Sequence, residues 1–503
     1  MKMDQRIKIN SGYEDFKSIV EEVKGKHSEV EVMNCKGIRG IKARKLETMT
    51  ASQSQPPAIK FWAAAALVLL TLLWVCVLQL ATVLNEEDTV SSSFYNPLSS
   101  SERIYKNNGY LVVIANGGLN QRRLAIADMV VIARYINITL IVPLFDNKTY
   151  WNDKSTFADI YDLNHFITSL RDEVRIVEEL PPELKRREES ESIYSMVPIS
   201  FASLTYYYQK VIPRIQKRGV LHFSLTDARL ANNGLPDEVQ KLRCRVNYEA
   251  LKFTQPIEET GRKIVSLLRQ RGPFLVLHLR YEKDMVAFTG CVQGLTKEEI
   301  KEVTEMRYSY EGWKHKPIDA KRRREHGSCP LTPEETALIL QALGIDRNTT
   351  IYIAAGKIYN EEKRMANLAM AFPNLVRKEL VLEPSDLRPF LNHADQMAAL
   401  DYIVAIESDT FIPTFGGNMA KAVEGHRRYM GFKRTVVLNR AFLVRLIDDY
   451  KKGRLSWDEF ALLVKRSHEH RTGKPARRRE IPDHPRLEDF FYSNPQECLS
   501  SIS

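Results

Sequence analysis

An uncharged apolar run near the N-terminus, residues 61–84, places the strongest constraint on this chain. As a helix, a run of this length can cross the roughly 30 Å hydrocarbon core of a bilayer. Six Lys and Arg residues lie between positions 36 and 60, and Glu86, Glu87 and Asp88 follow the run. Because basic residues stay on the cytosolic side of a membrane, this asymmetry predicts that residues 1–60 are cytosolic and that the remainder is lumenal.

A cleaved signal peptide is the alternative interpretation of this run. The run lies behind 60 residues, exceeds a usual signal core of roughly 7–15 residues, and has no small-residue cleavage pattern after it. We therefore predict a single-pass type II membrane protein with a transmembrane helix at 61–84. A large lumenal body behind such an anchor is the general layout of Golgi membrane transferases.

The charge balance of the chain is basic, with a net charge of +10 and a pI of about 9.1. A basic cytosolic protein would suggest nucleic acid as a partner. Behind a membrane anchor, acidic polysaccharides or phosphorylated donors are better candidates, and we predict no nucleic-acid partner. Solvated surface charge is the alternative for any single basic stretch.

Features typical of secreted chains lie on the predicted lumenal side. Three Asn-x-Thr glycosylation sequons occur there, at Asn137, Asn147 and Asn348. Four of the six cysteines also lie there: Cys244, Cys291, Cys329 and Cys498. Four cysteines permit two disulfides in three connectivities, with free buried thiols as the alternative.

The lumenal body alternates strand and helix patterns in two blocks. The first block has a strand at 110–115, a glycine loop at 116–121, a helix and a strand at 138–142. The second has a helix at 256–271 and strands at 274–279, 350–354 and 401–406, with a Thr332-Pro333 helix start and a helix at 361–372 between them. This order predicts an α/β fold of two Rossmann-like domains with parallel sheets, facing each other across a cleft.

These patterns predict six segments. They are a cytosolic tail (1–60), the anchor (61–84), a lumenal stem (85–106), a first Rossmann-like, acceptor-side domain (107–255), a second Rossmann-like, nucleotide-sugar domain (256–466) and a loose basic tail (467–503).

Three segments lie where open α/β sheets bind ligands, at the carboxyl ends of strands. They are the glycine loop at 116–121, the turn at 416–417, and the charged segment after the strand at 274–279. Gly117 and Gly118 let a backbone approach a ligand closely at the start of a helix, although a structural tight turn explains them equally well. The turn at Gly416-Gly417 opens another helix, with an ordinary connecting turn as the alternative.

Charge appears abruptly after the apolar strand that ends in His278 and Leu279. Arg280 has the planar fork that grips a diphosphate, while Glu282 and Asp284 are candidate catalytic bases for an acceptor hydroxyl. We rank Glu282 first, on the expectation that an extended chain puts positions 280, 282 and 284 on one face. The alternatives are that Glu282 only orients Arg280, that these charges are surface groups, and that the strand His is a core residue. Asp409 is the next candidate base.

The chain contains no Asp-x-Asp pair, which many metal-dependent nucleotide-sugar transferases use to hold a divalent ion. It also has no Cys/His cluster with zinc spacing and no G-x-S-x-G elbow. We therefore predict no metal site and no cofactor, with diphosphate charge met by Arg and by helix N-termini.

Five motifs in order resemble the plant O-fucosyltransferase-like family, over roughly residues 105–500: NGGLNQ, HLRYEKDM, GSCPLTPEE, QMAALDYIVAIESDTF and GGNMAKAVEGHRR. Further segments, among them HLRYEKDMVAFTGC and the ending FFYSNPQECL, are similar to its branch of rhamnogalacturonan I rhamnosyltransferases. Arg122, after the glycine loop, is the one departure from the expected pattern and is expected to alter acceptor contacts.

The resemblance implies an inverting, metal-independent transferase of the GT-B type. It implies that the nucleotide-sugar contacts His278, Leu279 and Arg280, and that Asp401 contacts the base or ribose. Two glycine segments would complete the donor site, one formed by Gly117, Gly118 and Asn120 and the other by Gly417, Asn418 and Met419.

Three functions are compatible with these residues. The first is a Golgi rhamnosyltransferase of pectin biosynthesis, moving rhamnose from UDP-rhamnose onto the galacturonic acid end of rhamnogalacturonan I, an acidic polysaccharide acceptor. The second is an O-fucosyltransferase using GDP-fucose on a protein or glycan. The third is a non-catalytic Golgi scaffold or glycan-binding protein. Complexes with other Golgi transferases are an additional expectation.

Overall fold

The computed structural model describes residues 107–146 and 153–499, all within one compact unit. The predicted anchor at 61–84, the stem, the sequon at Asn147 and residues 500–503 lie outside the described residues. In the part of the chain that is described, no helix has the length and apolar character needed to span a membrane.

The first sheet contains six strands, all pairing in parallel. Its main order is β4-β2-β1-β6-β5, and β3 pairs with the end of β1. Strand β1 is apolar and is covered on both of its faces. This explains its central place, since the strands of a parallel sheet are covered on both faces. The bounds are β1 (Tyr110–Ala115), β2 (Thr139–Ile141), β3 (Leu144–Phe145), β4 (Ile176–Val177), β5 (Ser195–Met196) and β6 (Val220–Phe223).

The second sheet has four parallel strands in the order β10-β7-β8-β9. Within it, β7 is central, pairing Leu275 with Ile351 on one side and with Thr410 on the other. The bounds are β7 (Phe274–His278), β8 (Thr350–Ile353), β9 (Leu375–Val376) and β10 (Thr410–Pro413). The parallel α/β fold predicted from strand–helix alternation is confirmed.

Helices connect the strands. The α-helices are α1 (Leu119–Tyr135), α2 (Phe157–Ile160), α3 (Leu163–Ser169), α4 (Pro182–Ser190), α5 (Leu204–Tyr206), α6 (Ile212–Arg218), α7 (Asp237–Cys244), α8 (Gln255–Arg269), α9 (Lys283–Thr289), α10 (Lys297–Tyr308), α11 (Glu311–Lys314), α12 (Ala320–Glu325), α13 (Pro333–Ala342), α14 (Glu361–Arg364), α15 (Ala366–Ala371), α16 (Lys378–Val381), α17 (Pro384–Leu387), α18 (Ala394–Glu407), α19 (Asn418–Tyr429), α20 (Arg440–Lys451) and α21 (Trp457–His468). The π-helical turns are Tyr207–Val211 and Arg245–Ala250, and the 3₁₀ turns are Arg388–Phe390, Phe491–Ser493 and Gln496–Cys498.

One hydrophobic core runs from the first sheet into the second. Along β7, Phe274 and Val276 join the core that also buries β1 and α1, whereas Leu275 and Leu277 face a separate core on the other side of the sheet. This alternation follows from the twofold repeat of side chains along a strand. Helix α18 packs against α8 and belongs to the shared core, so the two α/β blocks are not separated by a polar boundary at residue 255.

The segment predicted as a loose basic tail is instead fixed to the body of the protein as far as residue 499. Arg478 is 4% exposed and ion-paired with Glu497, and Tyr492 donates a hydrogen bond to the buried Asp128 at 2.7 Å. Disulfides join Cys244 to Cys498 and Cys291 to Cys329, which selects one of the three predicted connectivities. The basic composition of this segment was misleading because Arg478 is buried and binds the Glu497 carboxylate and the Asn494 carbonyl.

The strand predicted at 401–406 is wrong, because these residues form the last part of helix α18. Its sequence DYIVAI is buried almost all round, and a buried helix cannot be told from a buried strand by periodicity alone. The strand of this region is β10, which begins at Thr410. Asp409 therefore lies at the amino end of the sheet, where it bonds Arg269 and the Phe274 N–H, so it is no candidate base.

His426 predicts a measurable pH dependence of stability. Burial, followed by the positive charges of Arg123 and Lys433, lowers the pKa of His426 to about 3, and its Nδ1 lies 2.9 Å from the Tyr402 hydroxyl. The unfolded state binds a proton near pH 6.5 that the folded state rejects, so this contribution to stability is full above pH 6.5 and is lost as pH falls.

We expect His426→Gln to reduce the slope of unfolding free energy against pH by up to about 1.4 kcal/mol per unit between pH 4.5 and 6. Urea unfolding of both proteins across that range is the measurement. Equal slopes would show that His426 is protonated in the folded protein.

Candidate active site

The carboxyl ends of the two sheets meet through two glycine-containing segments. The loop after β1 holds Gly117 and Gly118, and the turn after β10 holds Gly416 and Gly417. The side-chain amide of Asn418 donates to the Gln121 oxygen at 3.4 Å, which joins the two segments directly. Ligands of open α/β sheets bind at this edge, so we place the candidate active site here.

The loop after β1 needs its first glycine. Gly117 has a φ of +82°, and a Cβ built there would lie 2.3 Å from the Gln121 side-chain oxygen. Helix α1 then begins without a cap from its own N-cap residue, Gly118, and the Leu119 N–H donates instead to Asp395 at 2.8 Å. The start of α1 is therefore partly neutralised by protein and is not a free phosphate site.

Two buried oxygens in this loop lack partners. Asn116 and Asn120 are each 7% exposed, and their side-chain oxygens accept no hydrogen bond within the described ranges. A buried polar atom without a partner is unfavourable, so such atoms commonly mark a place that a ligand or water completes. This observation supports the predicted involvement of Asn120 and adds Asn116, which the sequence did not single out.

Arg280 lies between two carboxylates. Its guanidinium is 2.5 Å from Glu282 and 2.8 Å from Asp284, and its side chain is 16% exposed. Burial alone would lower the pKa of Arg280, but the two carboxylates raise it above its ordinary value. The predicted grouping of these three residues is confirmed, whereas the expected extended chain is wrong: α9 begins at Lys283, and Asp284 reaches Arg280 from its first turn.

The two carboxylates differ in exposure and in their partners beyond Arg280, which donates to both oxygens of Asp284 at 3.2 and 2.8 Å. One oxygen of Glu282 accepts the Gly356 N–H at 3.1 Å, while the other faces Arg280, and its side chain is 17% exposed. The Asp284 side chain is 32% exposed. Glu282 therefore has the geometry of an orienting partner, and Asp284 is the more open carboxylate.

His278 is held in one neutral form at the end of β7. Its Nδ1 lies 2.9 Å from the Ala354 carbonyl oxygen, which can only accept, so Nδ1 carries the proton and Nε2 is an acceptor. Burial lowers the pKa of this imidazole, which keeps it neutral. Leu279 is fully buried and offers only its backbone to a ligand.

Residues after β10 lie beside this group. Thr414 binds the end of β7 through its N–H to the His278 carbonyl at 3.0 Å, and its hydroxyl accepts the Arg280 N–H at 3.2 Å. The turn continues through Phe415 to Gly417, and Asn418 and Met419 begin α19 without a side-chain cap. The structure therefore brings the predicted Arg280 and Gly417 segments to adjacent strand ends.

The structure does not bring Asp401 to this edge. It is 4% exposed within α18, where its carboxylate accepts hydrogen bonds from the Tyr352 hydroxyl at 2.7 Å and from Lys378 at 2.8 Å. Both oxygens are thus engaged by buried protein groups.

Arg122, the residue that departs from the expected pattern, is fully buried. Its guanidinium binds the carboxylate of Asp395 at 2.6 Å, donates to the Asp146 carbonyl at 2.8 Å and lies 4.6 Å from the Phe145 ring centre. Burial raises the pKa of Asp395 to about 6, although Arg122 opposes this. Asp395, which sequence reasoning missed, therefore ties α1 of the first sheet to α18.

Two further features concern predicted sites. Among the described residues, Asn348 is exposed in the turn before β8, and Asn137 lies between α1 and β2. No group of three His, Cys, Asp or Glu side chains in residues 107–146 and 153–499 is arranged to hold a metal ion.

Sequence comparison identifies the family. The family model for GDP-fucose protein O-fucosyltransferase matches residues 110–430, which is more than half of the chain. The chain belongs to this O-fucosyltransferase family. It is accordingly a glycosyltransferase, and the resemblance seen in its motifs is confirmed.

Individual members of the family are similar over most of their length. "Rhamnogalacturonan I rhamnosyltransferase 1" of Arabidopsis thaliana is 53% identical over 95% of this chain and 97% of its own. "O-fucosyltransferase 38" of the same plant is 43% identical over 80% of this chain and 78% of its own. Among solved structures, POFUT1 in complex with GDP-fucose is 15% identical, covers 65% of this chain and 97% of that one, and has a TM-score of 0.40.

Proposed function

We propose that this protein is a rhamnosyltransferase of pectin biosynthesis, which transfers rhamnose from UDP-rhamnose onto the galacturonic acid end of rhamnogalacturonan I. The observation that carries the proposal is the 53% identity to a relative named as such, over nearly the whole of both chains. A second relative, "Rhamnogalacturonan I rhamnosyltransferase 4" of Arabidopsis thaliana, is 50% identical over 85% of the chain. The net charge of +10 also suits a polyanionic acceptor.

The donor lies, in this proposal, between the two glycine segments of a GT-B-type cleft. Arg280 and the start of α19 at Gly417, Asn418 and Met419 contact the diphosphate, and neutral His278 accepts a hydrogen bond through Nε2. Gly117, Gly118 and Asn120 approach the donor from the first sheet, with Leu279 contributing backbone. Asp401, enclosed by Tyr352 and Lys378 within α18, is assigned no donor contact.

The reaction is proposed to invert the anomeric carbon in one displacement. The acceptor hydroxyl must lose its proton as it attacks, and a carboxylate at the cleft is the usual agent. Asp284 is assigned this role because its side chain is 32% exposed, against 17% for Glu282, and because among the described residues its oxygens bind only Arg280, whereas Glu282 also binds the Gly356 N–H. Glu282 keeps Arg280 in place.

A second candidate is O-fucosyl transfer from GDP-fucose to a protein or glycan. The name of the matching family model and the 43% identity to "O-fucosyltransferase 38" favour it. Both donors carry a 6-deoxy sugar on a nucleoside diphosphate, so the same cationic site serves either.

The deciding experiment offers the purified protein UDP-rhamnose and GDP-fucose separately, with galacturonate-ended rhamnogalacturonan oligosaccharides, and measures product mass. A mass gain of one deoxyhexose with UDP-rhamnose alone is expected. Gain with GDP-fucose alone would favour the second candidate, and no product with either would contradict both.

The compartment is proposed to be the Golgi lumen, with the protein inserted in the membrane as a type II chain. The charge asymmetry around residues 61–84 supports this, as do two disulfides, which persist in oxidising compartments. Trypsin added to sealed Golgi vesicles should trim only the N-terminal tail. Digestion of the C-terminal body before detergent is added would contradict the topology.

Transfer is proposed to be independent of metal ions. The chain has no Asp-x-Asp pair, and the site offers guanidinium groups and the N-terminus of α19 to the diphosphate. We expect about 10 mM EDTA to change the initial rate less than about twofold. This concentration is in about tenfold excess over millimolar divalent metal ions. A lost rate that returns with Mn²⁺ or Mg²⁺ would refute this.

A further inference from the structure

Two cations without ion-pair partners lie beside the turn after β10. Arg440 begins α20, and its guanidinium carbon is 4.9 Å from the ring centre of Phe415. Lys421 lies in the first two turns of α19, with its Nζ 4.4 Å from the ring centre of Phe490. Within residues 107–146 and 153–499, neither side chain forms an ion pair or a hydrogen bond with protein.

The surroundings leave most of this positive charge uncompensated. Burial lowers the pKa of Arg440 to about 10, and no carboxylate opposes the effect. Burial, followed by repulsion from Arg440, also lowers the pKa of Lys421. The neighbouring carboxylate of Glu424 forms its ion pair with Arg428 at 2.9 Å, and its attraction for Lys421 is weaker than the repulsion from Arg440.

Arg280 presents the opposite situation. Its single positive charge faces Glu282 at 2.5 Å and Asp284 at 2.8 Å, so the group of three carries a net negative charge. A diphosphate approaching Arg280 alone would be repelled by these carboxylates. The uncompensated positive charge of the site lies across the turn, on Arg440 and Lys421.

The turn after β10 leaves room for the guanidinium of Arg440. A Cβ on Gly416 would lie 3.1 and 3.2 Å from the two terminal nitrogens of Arg440, closer than nearly all side chains allow. Glycine at this position therefore lets Arg440 lie against the backbone at the carboxyl end of β10. The uncapped start of α19 adds N–H groups at the same place.

We propose that Arg440, assisted by Lys421, binds the diphosphate of the nucleotide-sugar donor and supplies charge that Arg280 cannot. This inference rests on the proposed function and adds two residues to its donor site. A planar guanidinium held over the Phe415 ring presents its donors to phosphate oxygens in a fixed fork, which a lysine would not.

The test compares binding of UDP, UMP, GDP and GMP to the full-length protein in detergent, by calorimetry. Arg440→Gln should weaken UDP or GDP binding about 10- to 100-fold, as expected for a lost charge-assisted hydrogen bond, and should weaken the monophosphates less. Arg440→Lys should fall between. Arg388→Gln, which removes an exposed arginine, is the matched control and should bind like the wild type.

The outcomes separate this inference from the proposed function. If the wild type binds no nucleoside diphosphate, the proposed function fails. If the wild type binds and Arg440→Gln binds equally well, only the present inference is overturned. An unchanged diphosphate affinity with a raised KM for the acidic acceptor would also overturn it, because Arg440 would then contact the acceptor.

A second variant protects the test against misfolding. Gly416→Ala keeps the charge of Arg440 but shifts its guanidinium by a few tenths of an ångström, and the glycine does not have a positive φ, so the backbone tolerates alanine. We expect an unchanged thermal melt and a diphosphate affinity lowered about 2- to 5-fold. Wild-type affinity in both Arg440→Lys and Lys421→Gln would contradict the proposal even if Arg440→Gln does not fold.

Discussion

Replacing Asp284 by asparagine is expected to lower kcat about 10²–10⁴-fold while leaving the affinity for the nucleotide donor within a few-fold of the wild type. The substitution keeps the size of the side chain and one oxygen, but removes the ability to take a proton from the acceptor hydroxyl. Asp284 is the more open of the two carboxylates on Arg280, with 32% of its side chain exposed.

Glu282→Gln should behave differently, because Glu282 is less exposed than Asp284 and binds the Gly356 N–H as well as Arg280. We expect it to lower donor affinity and turnover together.

Asp386→Asn is a matched control, since Asp386 is similarly exposed and ion-paired with Lys263 at 2.7 Å. Steady-state kinetics with donor-binding calorimetry separates these cases. Normal turnover in Asp284→Asn would exclude Asp284 as the base, and a lost turnover with normal donor affinity in Glu282→Gln would assign the role to Glu282.

Asp395→Asn is expected to destabilise the fold by about 3–5 kcal/mol. The change leaves the guanidinium of Arg122 without its carboxylate in a place where both side chains are 1% exposed. Removing one partner of a buried pair is much more harmful than removing both, since it leaves an uncompensated charge. Measurement at pH 7.5 keeps the wild-type pair ionised, because burial raises the pKa of Asp395 only to about 6.

The double variant Asp395→Asn/Arg122→Met should therefore recover much of the lost stability. Urea denaturation of the single and double variants gives the comparison. Glu179→Gln, which removes one partner of an exposed pair with Lys185, is the control and should leave the denaturation midpoint unchanged. If the double variant were as unstable as Asp395→Asn, loss of packing or of the Leu119 N–H contact would explain the effect better than unpaired charge.

Local sequence patterns predicted the central strands well because those strands are short apolar runs bounded by turn residues. The predicted strand at 110–115 coincides with β1, and the capping box at Thr332 does begin α13. The same reasoning failed at 401–406, where a helix buried on all sides carries no helical periodicity. Misplacing that element also misplaced Asp401 and Asp409 relative to the sheet edge.

The parts of the site that escaped prediction depend on contacts between distant positions. Arg122 and Asp395 are separated by 273 positions, and nothing beside either residue indicates the other. Arg440 begins a helix whose Asn439 cap is recognisable in sequence, but its position against Gly416 follows only from the packing of α20 on the turn. Short motifs thus located the ends of the strands. Which charged side chains neutralise one another at those ends could be seen only in the folded structure.

The nested disulfides have a consequence for biosynthesis. Cys498 is synthesised 254 residues after Cys244. At about 5–20 residues per second, this interval is roughly 13–50 s of translation. During that interval Cys291 and Cys329 emerge, and either could capture the unpaired Cys244 thiol. Efficient maturation therefore requires that Cys291 and Cys329 pair with each other first, or that an isomerase later exchanges a wrong bond. Cells short of disulfide isomerase should accumulate mispaired chains, whereas replacing both Cys244 and Cys498 by serine should remove that dependence.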